Sequence, residues 1–303
     1  MPTYALVLTS PPRSPSLSDL VAERALRQIP ASQHVQNRWL APREAWEAIF
    51  ETGDPATAAR IRSEVSFDLK GLTVDVNVVP ADRSTRPARL LIADMESTII
   101  VQECLDELAD FVGLRQRISD ITARAMRGDL DFEGAIKERV SLLQGLDAGS
   151  LDKVYDERVT LMPGAEQLVQ TMKSHGAYCA LVSGGFTFFT DKVAARLGFD
   201  WSQANRLEIA AGKITGRVLP PILGRAAKLE ALERCCERLA IQRAAAMAVG
   251  DGANDLAMIK AAGCGVAFRA KPVVAAEAAA TVRYGDLTAL LYLQGYAKDM
   301  FAA

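Results

Sequence analysis

The sequence predicts a doubly wound parallel α/β sheet carrying an inserted helical module, preceded by a small α+β unit of ferredoxin-like order. Three observations predict it. Short apolar runs without alternation occur at Leu90–Ala93 and at residues 178–182, 244–249 and 265–268, as expected of strands buried on both faces of a parallel sheet. Helical spacing separates them over residues 164–174, 189–197, 228–238 and 255–262; such alternation marks a doubly wound fold, whose ligands bind beyond the C-terminal strand ends. Finally, about 80 residues, mostly helical in pattern, separate Asp94 from the second run. That is far more than a crossover needs.

Taken in order, residues 4–9 (YALVLT) read as a strand, and residues 17–29 carry helical spacing after a turn-rich stretch. Two short strand-like runs, 36–40 and 45–51, are split by Pro42-Arg43-Glu44; the second could equally be a helix. Asp54 is placed as an N-cap with Pro55 at the first helical position, opening a helix through Ser63. Residues 72–79 alternate with period two. The resulting β-α-β-β-α-β order is that of a split βαβ sandwich. Residues 81–89 (ADRSTRPAR) read as a linker, dividing the chain into units 1–82 and 83–303.

In the second unit, helical patterns at 103–111, 114–126, 132–143 and 150–157 form the insertion, at about 102–160. Placed directly after a strand end, it would cover the active site as a lid. Residues 206–219 read as a β-hairpin turning at Ala211-Gly212-Lys213, and the alanine-rich residues 273–280 as a helix.

Composition narrows the function. The 303 residues carry 35 Lys plus Arg against 37 Asp plus Glu, a formal charge of −2, so the chain as a whole offers no electrostatic grip on nucleic acid. No apolar run approaches the roughly 18 residues of a membrane span. The N-terminal MPTYALVLTSPPRSP lacks the basic start and apolar length of a signal peptide. Five cysteines without a C-x-x-C pair read as reduced thiols of a cytoplasmic protein. The two histidines, His34 and His175, stand in no supporting motif, which sets aside zinc and Ser-His-Asp chemistry.

Chemistry-bearing residues gather at three strand ends: Asp94-Met95-Glu96-Ser97-Thr98 after LLIA, Ser183-Gly184-Gly185 after ALV, and GDGAND (250–255) after AMAV, with Lys228 on the helix before the third strand. Each alone reads as a cap or a turn; together they suit phosphoryl transfer. Asp94 can act as a carboxylate nucleophile, splitting one displacement into two. Attack by an anion on a phosphate needs neutralisation, which Mg²⁺ held by Asp94 and Asp251 would supply, with Lys228 adding positive charge. The Ser183 hydroxyl and Gly184 N–H would hold the remaining phosphate oxygens. Asp255 would orient Lys228 or a metal-bound water. Glu96 is placed to protonate the leaving oxygen and later to deprotonate water.

In this order DMEST, SGG, the lone lysine and GDGAND resemble the four motifs of the haloacid-dehalogenase (HAD) superfamily of aspartate-nucleophile phosphatases. VSGGF, VGDGANDLAM and the segments MRGDLDF (126–132) and RVSLL (139–143) resemble the phosphoserine phosphatase family in particular. The resemblance, running from about Leu90 to Leu293, implies a HAD-like Rossmannoid core and Mg²⁺-dependent hydrolysis of O-phospho-L-serine to L-serine and phosphate, the last step of serine biosynthesis. Transfer of the Asp94 phosphate to another hydroxy amino acid such as homoserine, or a different small phosphomonoester as substrate, stays open. The resemblance also implies that the residue 96 carbonyl binds Mg²⁺ and that Asn254 adjoins the phosphate cradle. By the same resemblance Glu103 receives the substrate ammonium and Arg139 grips its carboxylate. By pattern alone, Lys137-Glu138-Arg139 reads as a solvated helix surface with an ion pair, and Met126 and Phe132 read as core more readily than as pocket. Position 96 departs from the family's D-x-D-S-T, carrying Glu for Asp. The N-terminal unit loosely resembles amino-acid-binding ACT domains; it could sense a small molecule, form a homodimer, or be an inert extension.

Overall fold

The computed structural model describes residues 1–82, 84–126 and 129–302, without the side chains of His34, Val35, Ala123, Ala125 and Met126. The N-terminal elements are β1 (Thr3–Thr9), α1 (Asp19–Leu26), β2 (His34–Ala41), β3 (Ala45–Glu51), α2 (Pro55–Asp68) and β4 (Asp75–Pro80). The four strands form an antiparallel sheet in the order β2-β3-β1-β4, so residues 45–51 resolve as a strand. Asp54 caps α2 by accepting the Ala56 N–H, with Pro55 in the first turn. The helix runs past Ser63 to Asp68 because Val65 still points into the core.

One face of this sheet, with Leu6, Leu8, Trp46 and Phe50, packs against Val21, Ile61 and Val65 of the two helices. The opposite face, with Ala5, Val7, Ile49 and Val79, belongs to the core of the second unit. That second unit begins with β5 (Leu90–Ala93) and the cap helices α3 (Cys104–Phe111), α4 (Arg115–Met126), α5 (Phe132–Ser141) and α6 (Gly149–Arg158). It continues with α7 (Ala165–Ser174), β6 (Tyr178–Phe186), α8 (Thr187–Leu197), β7 (Trp201–Ala210), β8 (Lys213–Leu219), α9 (Arg225–Leu239) and β9 (Ala246–Gly250). The last elements are α10 (Leu256–Ala261), β10 (Cys264–Phe268), α11 (Pro272–Ala275), β11 (Ala280–Val282) and α12 (Ala289–Leu293).

The main sheet has the order β11-β10-β9-β5-β6-β7-β8, parallel except for the β7–β8 hairpin. All four residues of β5 are buried, as a central parallel strand requires. Two expectations need correction. Residues 273–280 are helical only at α11, because Ala280 and Val282 pair with β10 as a further strand. The hairpin's first strand starts at Trp201, where β7 joins the main sheet beside β6.

The cap connects to the core through two antiparallel segments. Val101 N–H donates to the Thr160 carbonyl (3.0 Å) and Met162 N–H to the Ile99 carbonyl (2.9 Å). Residues 84–89 are bolted down through Arg86, which pairs with buried Glu47 (2.8 Å) and donates to the Leu293 carbonyl (2.9 Å).

Candidate active site

Strand register builds the site. β5 lies between β6 and β9, with Ala93 opposite both Leu181 and Val249. Asp94, Ser183 and Asp251, each just past that level, therefore emerge side by side at one sheet edge. Lys228, in the first turn of α9, completes the group. Its Nζ lies 2.8 Å from Asp94 Oδ1 and 2.5 Å from Asp255 Oδ1, with all three residues buried. Met95 N–H also donates to Asp94 Oδ1 (2.8 Å). Among the described residues Asp94 Oδ2 has no hydrogen bond, the Met95 N–H and the Lys228 ammonium both lying on Oδ1. Asp255 is fully committed, its Oδ2 accepting Gly252 N–H (3.0 Å), and so fixes where Lys228 points.

Asp94, Asp251 and Asp255 each offer an oxygen within 4.8 Å of the others. Burial, then Asp255, raises the proton affinity of Asp94, and Lys228 opposes them. Burial and Asp255 push Asp251 up to about 6. Burial alone would lower Lys228, but Asp94 and Asp255 outweigh it and raise it. One ammonium thus faces three carboxylates, leaving two negative charges unmatched when all are ionised. A hard divalent cation with oxygen ligands fits such a set. Asp255, expected to orient Lys228 or a metal-bound water, stands in this cluster beside Asp94 and Asp251, and the Glu96 side chain does not.

Glu96 instead turns toward the cap. Its Oε1 accepts the N–H of Cys104 (2.8 Å), the first residue of α3, an N–H that the helix itself leaves unpaired. Glu103, at the N-cap position, makes no capping bond of its own; its Oε1 accepts from Ser97 Oγ (2.7 Å). Burial and the neighbouring Glu103 push Glu96 up to about 7.

Ser183 Oγ accepts Gly185 N–H (2.9 Å) near the C-terminal end of β6. Asn205 is a buried buttress that the sequence does not reveal, since it looks like one more polar residue ahead of a hairpin. Its Nδ2 donates to the Gly184 carbonyl (2.9 Å) and its Oδ1 accepts Leu223 N–H (2.7 Å), tying the SGG turn to the loop that launches α9. Phe132, read as core, lines the cavity, its ring 3.7 Å from where a Cβ would stand on Gly184.

The cavity, of about 180 Å³, has Asp94, Asp251 and Asn254 on the core side and Glu103, Phe132 and Arg139 on the cap. Arg139 makes no ion pair among the described residues, and its buried Nε has no hydrogen bond. Its neighbours are paired elsewhere, Lys137 with Glu133 (2.5 Å) and Glu138 with Arg124 (2.7 Å). The surface ion pair that the pattern suggests therefore forms around Arg139 without including it. Of the other cap residues singled out in the sequence, Arg127, Gly128 and the Met126 side chain lie outside the described residues.

A family model for the haloacid dehalogenase-like hydrolases matches residues 91–260, spanning all three strand ends and the cap. The chain belongs to this family. Within it, this HAD hydrolase is 42% identical over 223 residues to a phosphoserine phosphatase from a Polaromonas species, covering 72% of this chain and 94% of the relative. It is 44% identical over 239 residues to a phosphoserine phosphatase from Streptomyces coelicolor, covering 79% of this chain but only 58% of that longer relative. A solved structure of a probable phosphoserine phosphatase from Vibrio cholerae, unliganded, superposes with a TM-score of 0.77 at 31% identity, over 98% of this chain and 88% of that one. That overlap takes in the N-terminal sheet as well as the HAD core.

Proposed function

We propose that this HAD hydrolase is a Mg²⁺-dependent phosphoserine phosphatase acting on O-phospho-L-serine in the cytoplasm. The observation that carries the reading is the cap side of the cavity. Glu103 and Arg139, opposite in charge, face one small space without pairing with each other. A ligand bearing both an ammonium and a carboxylate answers both, and a guanidinium fork matches a carboxylate. Beneath them lies a carboxylate nucleophile with its ammonium partner, suited to a phosphate.

In this reading Asp94 Oδ2 attacks phosphorus, the bond from phosphorus to the serine oxygen breaks, and that oxygen takes the Glu96 proton. A water then attacks the aspartyl-phosphate while returning a proton to Glu96, freeing phosphate and restoring Asp94. Lys228, the Ser183 hydroxyl and the Gly184 N–H steady the phosphate oxygens throughout, with Asn254 beside them. Mg²⁺, held by Asp94, Asp251 and the Glu96 carbonyl, would supply the charge that lets two anions meet. A Glu held near 7 suits a group that must give and take one proton at neutral pH.

The test is phosphate release from a panel of phosphomonoesters, with Mg²⁺ and with EDTA, for wild type and Asp94→Asn. Activity should favour phosphoserine and vanish with EDTA or in the variant. Arg139→Ala should raise KM for phosphoserine roughly 10- to 100-fold, the worth of one charge-assisted hydrogen-bonded contact, and leave phosphoethanolamine, which lacks the carboxylate, unaffected. An equal loss on both substrates would remove Arg139 from the carboxylate site. Adding homoserine and looking for phosphohomoserine tests water against an alcohol as acceptor.

A further inference from the structure

We propose that Gly185 is a positioning residue for the Glu96 acid/base, its missing side chain making the space that the longer carboxylate occupies. The inference rests on the reading of Glu96 as proton donor and acceptor, and deepens it by naming what holds that group in place. A Cβ built on Gly185 would stand 2.8 Å from Glu96 Oε2 and 3.0 Å from both its Cδ and its Oε1. No other atoms are as near, so the obstacle an alanine would meet is the Glu96 carboxyl itself. Gly185 lies within β6 and is absent from the residues with positive φ, so its backbone does not demand glycine. What demands it is the carboxyl.

That carboxyl is held from two sides. Cys104 N–H, at the start of cap helix α3, holds Oε1 at 2.8 Å, and the bare face of Gly185 lets the whole group lie flat against the end of β6. An added methyl would push the end of a flexible side chain, a movement the fold can absorb. The reaction cannot absorb it, because proton transfer requires the carboxyl within hydrogen-bond reach of the leaving oxygen. Gly185 and Glu96 are therefore a matched pair, in which the extra methylene at 96 depends on the missing methyl at 185.

The experiment is a double-mutant cycle of Gly185→Ala and Glu96→Asp, with Glu96→Gln alongside, measured with saturating Mg²⁺ on phosphoserine and with melting temperatures for every variant. Gly185→Ala should fold as wild type, keep KM, and lose kcat by roughly 10²-fold, the lower end of what general acid–base catalysis contributes. Glu96→Asp shortens the side chain away from residue 185, so Gly185→Ala should do little further harm in that background. An equal loss of kcat in both backgrounds, or a loss confined to KM, would overturn the pairing and leave Gly185 as part of the phosphate turn alone. Wild-type turnover in Glu96→Gln at every pH would instead overturn the acid/base reading itself, so the two failures are distinct.

Discussion

At the scale of single residues, the site is a problem in charge. Asp251 sits at about 6 because burial and then Asp255 disfavour its ionised form, against an ordinary value of about 3.9. A carboxyl whose affinity for a proton is raised by folding adds stability only while protonated, and that stability is lost as pH climbs toward 6. A divalent cation held as proposed would bind the ionised form and restore what the repulsion removes. The gain in melting temperature on adding Mg²⁺ should therefore be larger at about pH 7.5 than at about pH 5, and should shrink at both in Asp251→Asn. Equal gains at the two pH values would separate the cation from Asp251. Asp94, Asp251, Lys228 and Asp255 were legible in the sequence because strand ends in a parallel sheet converge. Where Glu96 points was not, since its partner, the Cys104 N–H, lies eight residues on and nothing local signals that contact. Asn205 was not legible either: its role comes from burial between two loops far apart in the chain, and nothing local signals that.

At the scale of elements, the β7–β8 hairpin is a strut under the cap. Gly145 N–H donates to the Ile214 carbonyl (2.8 Å), Ile214 N–H to Leu146 (2.9 Å) and Ala148 N–H to Gly212 (2.8 Å), so the loop between α5 and α6 is hydrogen-bonded to the hairpin. Gly216 permits this closeness. Its φ is +81°, and a Cβ there would stand 3.0 Å from the Gln144 Cβ and 3.4 Å from the Ser141 backbone, at the end of the helix that carries Arg139. Gly216→Ala should cost about 1–3 kcal/mol in strain and raise KM for phosphoserine more than it lowers kcat, because it disturbs α5 and not the nucleophile. A fall in kcat alone would mean that the strut serves the chemistry directly. The hairpin was visible in the sequence as alternation and a glycine turn; its attachment to the cap was not, being a contact between segments some 65 residues apart. The alanine-rich residues 273–280 misled for a related reason. Helix propensity there is a weak preference, and pairing of Ala280 and Val282 with β10 overrides it.

At the scale of the whole molecule, the N-terminal unit is bound to the catalytic unit through the face that its own helices leave open. Besides Ala5, Val7, Ile49 and Val79, that face carries Glu47, Asp75 and Asn77, all buried, and each finds partners beyond residue 82. Glu47 takes Arg86. Asn77 exchanges two hydrogen bonds with the backbone of Thr281 (2.9 and 2.7 Å), and Asp75 accepts the N–H groups of Arg283, Tyr284 and Gly285. These polar groups are costly to bury without partners, so the face is built to be covered. The loop that Asp75 holds leads directly to Leu287, whose N–H donates to the Pro163 carbonyl (3.1 Å) where the cap rejoins the core. Shared burial of this kind should make the two sheets unfold as one cooperative unit. Calorimetry on the full chain should give a single unfolding transition, and Asp75→Ala should lower it by the cost of stranded buried N–H groups, about 1–3 kcal/mol. Residues 83–303 alone should melt well below the full chain, because Leu290 and Tyr292 lose their cover. Two independent transitions in the intact protein, with residues 83–303 as stable as the whole, would show that the N-terminal unit is a passenger and not a wall of the enzyme.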